Sequence, residues 1–376
     1  MTGRNGGLAT LATRALYAVA LIGAVAYVYL ILDSSAANGT LGFDYRAYDL
    51  AADRLLAGQS MYDPNATATG SFGLFFYPPP FALLILPFAL LPSDAAVWAW
   101  TAALTAASVA AIWLMPVSAR VRWIVLLLAA LSWPLVYAIK LGQVGPMLLL
   151  LFAIGWRWLN QPSAVGFAGG VGTVIKLQPA LLIGWALVTG RRRAALIGVA
   201  IAGVLAVIAT VIAGPQSWLD EASLLGRVSR PVLTPNAFGF GRFAYEAGFS
   251  ESAATLIHYA NFALVVAVVA LVVWRGSAVA SYLAVVIATQ FTSPVLWDHY
   301  ALILLLPVAW LLHRGWWWAA LIPLVSATPL IGITPPIAYP ILFWVTLAAV
   351  AWLGLRDGRG ARPGSVAAPS IVDRVA

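Results

Sequence analysis

The sequence predicts an all-α protein that crosses a membrane many times. Of its 376 residues, 62% are hydrophobic and only 9% are charged, and the mean hydropathy is +0.91. A soluble domain carries about 25% charged residues, so this chain has too little charge to cover a water-exposed surface. Apolar runs able to cross about 30 Å of hydrocarbon as helices recur from end to end. We therefore expect a polytopic helical bundle.

The hydropathy pattern indicates about 12 transmembrane helices and two long polar loops. The first apolar run is Ala15–Leu32. The others lie at 76–92, 94–115, 121–139, 143–159, 164–189, 194–213, 253–274, 278–292, 297–312, 316–334 and 338–355. The first loop covers about 33–75 and the second loop about 214–252. We expect residues 1–355 to form a single transmembrane domain and the polar tail, 356–376, to be disordered.

Basic residues set the expected orientation, because cytoplasmic loops carry an excess of Lys and Arg. With the N-terminus in the cytoplasm, Arg191–Arg193 and the C-terminal tail are also cytoplasmic, and both long loops face the periplasm or exterior. Arg120, Arg122 and Arg157 fall on the wrong side of the membrane in this count. Either the 94–189 region contains short or re-entrant helices, or these arginines serve an external site. In both cases we expect a multi-pass protein of the plasma (inner) membrane.

Composition also excludes several kinds of chemistry. The chain has no cysteine, which excludes disulfides, thiolate zinc sites and cysteine nucleophiles. With only three histidines, a His-rich metal site is not expected, and we predict neither a metal nor another cofactor. The net charge of +8 comes mostly from arginines near span ends, so it indicates orientation rather than a nucleic-acid partner.

Acidic residues concentrate in the first loop. Five of the 13 acidic residues of the chain are Asp33, Asp44, Asp49, Asp53 and Asp63. Written as a helix, this segment places one stripe at Phe43, Ala47, Leu50/Ala51 and Arg54/Leu55. We therefore predict an amphipathic helix at the membrane surface, with Asp49, Asp53 and Asp63 solvating it.

Asp44 differs from the other aspartates, because it stands between Phe43 and Tyr45 at the start of this predicted helix. One interpretation is a helix N-cap. The other is a carboxylate at the boundary between water and lipid, where partial desolvation keeps it basic enough to accept a proton.

Lys176 is one of two lysines in the chain and lies within an apolar segment. An ionisable residue at the centre of a span costs at least about 2.5–3.5 kcal/mol, which makes it a functional candidate. The alternative is a lysine that snorkels from a helix end. Gln143 and Gln178 can hydrogen-bond a phosphate or sugar, or can join two helices.

Two further groups of polar residues are candidates for substrate binding. Arg227, Arg230 and Arg242 of the second loop can offer guanidinium groups to a phosphate, or can balance acidic residues on a solvated surface. His299, with Asp298 beside it, can contact a phosphate or help a proton leave, or can be structural.

Four stretches carry a resemblance to glycosyltransferase family 87 of the GT-C superfamily, which comprises mannosyltransferases dependent on polyprenyl-phosphate-mannose. The stretches are GFDYRAY at 42–48, FYPPPF at 76–81, GQVG at 142–145 with KLQP at 176–179, and SPVLWDHY at 293–300. The chain departs from the family pattern at Gly145, where an Asn is frequent, and at Asp298, where a His pair is frequent.

The resemblance implies a GT-C type bundle and an inverting sugar transfer. Its donor would be a polyprenyl-phosphate-linked sugar, mannose or in a close variant arabinose, and its acceptor a hydroxyl of a lipid-linked glycan in the cell envelope. Asp44 would be the catalytic base, because displacement requires a group that takes the acceptor proton. The candidates to bind the donor phosphate or sugar are Lys176, Gln178, Gln143, Arg227, Arg230, Arg242, His299 and Asp298. The candidates to face the acceptor or lipid are Tyr45, Tyr48 and Tyr77.

Two other functions stay open at this point. A transporter or flippase for lipids or small molecules would predict repeat symmetry and charged pairs within spans, and the sequence shows neither clearly. A non-catalytic membrane scaffold would make the polar loops incidental.

Overall fold

The structure is a computed structural model that describes residues 3–66, 73–235, 237–327 and 337–360, with side chains from residue 15 onward. Every regular element in these ranges is helical, which confirms the all-α prediction. The elements are α1 (Gly3–Ala37), α2 (Phe43–Leu56), α3 (Pro79–Ala89), α4 (Ser93–Leu114), α5 (Ala119–Leu131), α6 (Trp133–Leu141), α7 (Gly145–Arg157), α8 (Pro162–Ile175), α9 (Ala180–Val188), α10 (Arg192–Ala213), α11 (Gln216–Val228), α12 (Phe240–Glu246), α13 (Glu251–Arg275), α14 (Ala278–Phe291), a 3₁₀ helix (Asp298–Leu304), α15 (Leu305–His313), a 3₁₀ helix (Trp317–Ala320), α16 (Leu321–Val325) and α17 (Ala338–Gly360).

Five helices in the described part of the chain are long and apolar enough to cross a membrane: α1 from Ala15, α4, α10, α13 and α17. A sixth span results if α5 and α6 are counted as one. The predicted count of about 12 is therefore not confirmed. The reason is length, because α3, α7, α8 and α14 are apolar but have only 11, 13, 14 and 14 residues. A helix needs about 20 residues to span a bilayer on its own.

Proline-containing breaks account for the short helices between residues 94 and 189. The axes of α5 and α6 differ by 62°, with Ser132 extended at the break and Pro134 in the first turn of α6. Proline is tolerated there because its missing N–H has no helical partner at that position. A second break, residues 176–179, ends at Pro179 and separates α8 from α9. This region thus has short and bent helices, which was the first of the two explanations given for the positions of Arg120, Arg122 and Arg157.

Both long loops contain helices, so the prediction of two long loops is not confirmed in that form. The expected amphipathic helix exists as α2, and its buried face includes Ala47 and Ala51 of the predicted stripe. Tyr45 and Tyr48 are buried, whereas Phe43, the start of the predicted stripe, is 38% exposed. The Tyr45 ring lies 5.6 Å from the Trp100 ring of α4, so the tyrosine side of α2 packs on the protein.

The centre of the bundle is α14, which is buried on all sides from Ala280 to Phe291 and contacts α9, α13 and α17. At the C-terminus, α17 continues to Gly360, so the predicted tail starts later than residue 356. Its remaining part, 361–376, lies outside the described residues, as does the 328–334 part of the predicted span 316–334.

Candidate active site

The N-terminus of α2 is fixed against the C-terminus of α6 by two glycines with positive φ. Gly42 precedes α2 with φ 73°, and its N–H donates to the carbonyl of Lys140 at 2.8 Å. Gly142 follows α6 with φ 74°, and a Cβ there would lie 2.7 Å from Cβ of Tyr45. Trp100 Nε1 donates to the Gly142 carbonyl at 2.7 Å. Because only glycine adopts this backbone freely, the contact depends on these two residues.

Asp44 lies in the first turn of α2, and its side chain lines a cavity. Gly42 is the N-cap residue, so the N-cap interpretation of Asp44 was wrong. Burial raises the pKa of Asp44 to about 6, and electrostatic interactions with His299 and Lys176 oppose that rise. The carboxyl group is therefore mostly ionised at neutral pH, yet more basic than an ordinary aspartate. These are the properties of a general base.

The cavity has a volume of about 1210 Å³ and is lined by both long loops and by the breaks between helices. Ligand pockets for drug-sized molecules have about 300–1,000 Å³, so this one is large. Eight residues that the sequence singled out line it: Asp44, Tyr48, Tyr77, Gln143, Lys176, Gln178, Asp298 and His299. Four others do not: Tyr45, Arg227, Arg230 and Arg242.

Lys176 lines the cavity at the point where α8 ends and the backbone becomes extended, with φ −155° and ψ 140°. Its Nζ lies 3.7 Å from the centroid of the Tyr300 ring, within the range of a cation–π interaction. The ammonium group is thus held inside the cavity, which the snorkelling alternative does not predict. Two residues further on, Oε1 of Gln178 is buried and has no hydrogen-bond partner in the described part of the chain.

The Tyr77 hydroxyl is the centre of a hydrogen-bond network beside Asp44. It accepts from the Tyr48 hydroxyl at 2.8 Å and from Nε2 of Gln143 at 3.3 Å. Oε1 of Gln143 accepts from the N–H of Gly145 at 2.6 Å. The Tyr62 hydroxyl donates to the Tyr77 carbonyl at 2.7 Å. Gln143 therefore joins two parts of the fold and also borders the cavity.

Asp298 and His299 form a fixed pair on another wall. Oδ2 of Asp298 accepts from Trp133 Nε1 at 2.9 Å, and Oδ1 accepts from the N–H of His299 at 2.7 Å. Nδ1 of His299 lies 3.3 Å from the same Oδ1, and both side chains are largely buried. The carboxylate of Asp298 therefore orients the imidazole rather than facing substrate freely.

Arg227 joins the two loops instead of lining the cavity. Its Nε donates to the carbonyl of Ala66 at 3.1 Å, and its Nη2 donates to the carbonyl of Asp63 at 3.2 Å. The Ser60 hydroxyl adds a further bond to Oδ2 of Asp220, at 2.7 Å. These contacts connect α11 to the segment of the first loop that carries Tyr62.

The other two arginines also have partners or positions away from the cavity. Arg242 forms a salt bridge with Glu246 at 2.8 Å and donates to the carbonyl of Val232 at 3.2 Å. The pairing with Glu246 agrees with the alternative in which these arginines balance acidic residues on a solvated surface. Arg230 is exposed. On α2, the Tyr45 hydroxyl donates to Oδ1 of Asp49 at 3.3 Å, which turns that tyrosine away from the cavity.

Sequence reasoning missed several aromatic residues of the cavity wall, among them Trp133, Tyr137 and Tyr300. Trp133 and Tyr137 stack with ring centroids 4.6 Å apart, and both line the cavity together with Tyr300. Two signals were available, because Trp133 precedes a proline inside an apolar run and Tyr300 ends the SPVLWDHY stretch. Within the described ranges, no three His, Cys, Asp or Glu side chains gather in a way that could hold a metal ion.

Comparison with known proteins assigns the chain to a family. The family model of glycosyltransferase family 87 matches residues 75–297, more than half of the chain. The chain belongs to glycosyltransferase family 87. It is therefore a glycosyltransferase, and this relationship does not favour the transporter or flippase alternative.

Two curated relatives of this family 87 chain are both named as mannosyltransferases. One, from Mycolicibacterium smegmatis, is a polyprenol-phosphate-mannose-dependent alpha-(1-2)-phosphatidylinositol pentamannoside mannosyltransferase. It is 29% identical over an alignment 394 residues long, which covers 92% of each chain. The other, from Mycobacterium tuberculosis, is a polyprenol-phosphate-mannose-dependent alpha-(1-2)-phosphatidylinositol mannoside mannosyltransferase; it is 30% identical over 197 residues, or 46% of each chain. No solved structure matches the chain.

Proposed function

We propose that this protein transfers mannose from a polyprenyl phosphate to a hydroxyl of a cell-envelope glycolipid, with inversion at the anomeric carbon, on the outer face of the membrane. The observation that carries this proposal is that one cavity holds a carboxylate, Asp44, and a cation, Lys176, among apolar walls. Both relatives have names that specify a polyprenol-phosphate-mannose donor and a phosphatidylinositol mannoside acceptor, which supports the choice of donor and acceptor.

The proposed reaction is a direct displacement. A carboxylate oxygen of Asp44 takes the proton of the acceptor hydroxyl as that hydroxyl's oxygen attacks the anomeric carbon. The bond between this carbon and the phosphate oxygen breaks, and polyprenyl phosphate leaves with the bonding electrons. The ammonium of Lys176 stabilises the negative charge that develops on the leaving phosphate, as a preformed cation does in other transfer reactions.

Other cavity residues have supporting roles in this proposal. The amide of Gln178 binds a sugar hydroxyl, because its buried Oε1 has no partner in the described part of the chain. His299, oriented by Asp298, faces the donor phosphate. Tyr48 and Tyr77 border the acceptor side next to Asp44. Arg227 of the second loop holds that loop against the first loop through two backbone carbonyls of the first loop.

A donor screen with the purified protein in lipid vesicles tests the reaction. We expect transfer from mannosyl polyprenyl phosphate to a mannosylated phosphatidylinositol, and none from a nucleotide-linked mannose. The product should have the opposite anomeric configuration to the donor by NMR. Transfer from the nucleotide sugar, or retention of configuration, would contradict the proposal. A polyprenyl-phosphate-linked arabinose in the same screen shows whether the protein transfers mannose or arabinose.

The absence of cysteine from the sequence makes orientation simple to measure. Gly226 on α11 and Arg193 on α10 are both exposed, and they lie on opposite sides of the membrane in the expected topology. A thiol reagent that does not cross membranes should label Gly226→Cys in intact cells and should not label Arg193→Cys until the cells are opened. The reverse pattern would place the cavity on the cytoplasmic side and would exclude an outer-face reaction.

A further inference from the structure

Many of the arginines of the chain lie at one end of the bundle, away from the cavity. We call this surface the arginine end and define it by residues 113–123, 157–161, 185–193, 274–278, 310–318 and 352–359. The central helix α14 begins there at Ala278 and ends at Phe291, next to Thr292 of the cavity wall. The arginine end and the cavity therefore lie at opposite ends of α14.

Hydrogen bonds join the segments of the arginine end to one another. A guanidinium N–H of Arg191 donates to the carbonyl of Leu159 at 2.7 Å, which links the turn after α9 to the turn after α7. The N–H of Ser118 accepts no helical partner and donates to Nδ1 of His313 at 3.3 Å, which links the start of α5 to the end of α15. These turns therefore form one continuous surface.

The arginine end has a strong excess of positive charge. Arg120, Arg122 and Arg157, which fell on the wrong side of the membrane in the sequence count, all lie here. Asp357 is the one acidic residue within these segments, and it forms a salt bridge with Arg314 at 2.7 Å. The other arginines of this surface have no carboxylate to balance them.

Two arginines of this surface lie over exposed tryptophan rings. Cζ of Arg275 lies 4.1 Å from the centroid of the Trp274 ring, and Cζ of Arg120 lies 5.5 Å from that of Trp317. Trp274 is 73% exposed and Trp317 is 49% exposed. Exposed tryptophans of membrane proteins are typical of the headgroup level of the bilayer. A guanidinium held over such a ring keeps its N–H groups available for a phosphate.

The same two arginines have no other polar partner. Within the described ranges, Arg120 and Arg275 form no hydrogen bond and no ion pair, and the same holds for Arg192 and Arg193, which are exposed at the start of α10. Arg122 differs, because it donates to two backbone carbonyls. Four guanidinium groups of this surface are therefore open to an external anion, and a planar guanidinium suits a phosphate better than a point charge does.

The helix surfaces beside these arginines are apolar and face outward. Leu196 and Val199 on α10 are 68% and 58% exposed, and Leu271 on α13 is 40% exposed. Each lies within two helical turns of an arginine of the arginine end, and both helices are long enough to cross a membrane. A lipid whose hydrocarbon covers these side chains would have its phosphate at the level of the arginines. An acidic protein partner would leave the apolar surface unused.

We propose that the arginine end binds the phosphates of anionic phospholipids through Arg120, Arg275, Arg192 and Arg193. The expected topology places this surface in the cytoplasmic leaflet. Phosphatidylglycerol, which has a net negative charge, fits the surface, whereas the choline of phosphatidylcholine cancels the charge of its own phosphate. The inference goes beyond the proposed function, because these lipids are not consumed and their surface is remote from the cavity.

Native mass spectrometry of the purified protein in detergent, with phosphatidylglycerol or phosphatidylcholine added, tests the proposal. The test variant combines Arg120→Gln with Arg275→Gln, which removes two charges and keeps polar side chains. Arg230→Gln is the matched control, because Arg230 is exposed in the second loop and lies outside the arginine end. Lys176→Met is a second control, which removes the cation of the cavity and so detects anionic lipid bound there.

We expect the parent protein to bind phosphatidylglycerol at least about tenfold more tightly than phosphatidylcholine, since each arginine near an anionic lipid contributes roughly fivefold. The double variant should lose about tenfold in affinity for phosphatidylglycerol and little for phosphatidylcholine. Both control variants should keep the preference of the parent. An excess of inorganic phosphate should not displace the lipid, because a free anion gains nothing from the apolar surface. Melting temperatures show whether each variant is folded, and Arg192→Gln with Arg193→Gln serves if the first pair is not.

Three results would overturn the inference. Equal affinity of the parent protein for the two lipids would mean that the charges set orientation alone or meet a partner that is not a lipid. An unchanged preference in the double variant would place the bound lipid elsewhere. Displacement by inorganic phosphate would mean that the surface binds a free anion. None of these results bears on sugar transfer, so the proposed function is tested separately.

Discussion

Lys176 and the arginines of the second loop are all cations that can meet a phosphate, but the fold places them differently. Lys176 lies at a break in an apolar segment, and its ammonium group packs over the Tyr300 ring inside the cavity. Arg227 and Arg242 donate to backbone carbonyls or to Glu246, and they do not line the cavity. A charge within an apolar run has few partners except a ligand, whereas a charge in a polar loop has many.

The same difference separates Asp44 from Asp53 on α2, and it leads to the largest effect we predict. Asp44 lines the cavity, and Asp53 is exposed on the same helix. Asp44→Asn should lower the rate of sugar transfer by about 10²–10⁴-fold, because the acceptor proton loses its base. Asp53→Asn, the same chemical change, should leave the rate unaltered. Initial rates in vesicles measure both, and similar rates for the two variants would remove Asp44 from the mechanism.

The two lysines of the chain provide the second comparison. Lys176→Met should reduce kcat/KM for the donor by about a hundredfold, because the leaving phosphate loses the cation that stabilises it. Lys140→Met removes the same charge from a residue that does not line the cavity, so its kcat/KM should stay near that of the parent. Titration of the rate with donor concentration measures both values. A larger loss in the Lys140 variant would contradict the assignment.

The pH dependence follows from the environment of Asp44. Burial raises its pKa to about 6, and only the deprotonated carboxyl group can accept the acceptor proton. The value of kcat/KM should therefore rise as the pH increases through about 6. At about pH 5 it should be roughly tenfold lower than its maximum. A profile measured between about pH 4.5 and pH 8 tests this. Activity that stays constant down to the acid end of this range would mean that no group with this pKa controls the reaction.

The smallest effects are expected in the second loop. Arg227→Ala removes two hydrogen bonds to carbonyls of the first loop, and we expect it to lower the free energy of unfolding by about 1–2 kcal/mol. Arg230→Ala changes an exposed residue and should stay within about 0.5 kcal/mol. Melting temperatures in detergent measure both, while KM for the donor should stay constant. A tenfold rise in KM for either variant would assign that arginine to donor binding after all.

The long uninterrupted helices were predictable from sequence to within two residues at most ends. The runs predicted at 94–115, 194–213 and 253–274 are α4, α10 and α13. The pattern failed at 121–139 and 164–189, where Pro134 and Pro179 each divide one apolar run into two helices. Hydropathy averages over such breaks, so it overestimates the number of simple spans.

The composition of the site was partly predictable, and its geometry was not. Asp44 and Lys176 were chosen because each is an ionisable residue in an apolar context, and the fold brings both to one cavity. Tyr45 was predicted to face the acceptor or lipid, but it packs against Trp100, because the rotation of the helix depends on a contact distant in sequence. The partners of Arg227 are carbonyls of residues 63 and 66, which sequence patterns do not reveal.

A cryo-electron microscopy structure with a non-transferable phosphonate analogue of mannosyl polyprenyl phosphate would test the central claim most directly. We expect the phosphonate to contact Nζ of Lys176 and the anomeric carbon to face the carboxyl group of Asp44 across the space for an acceptor hydroxyl. A headgroup bound instead at Arg227, Arg230 or Arg242, with Asp44 remote from the sugar, would contradict it.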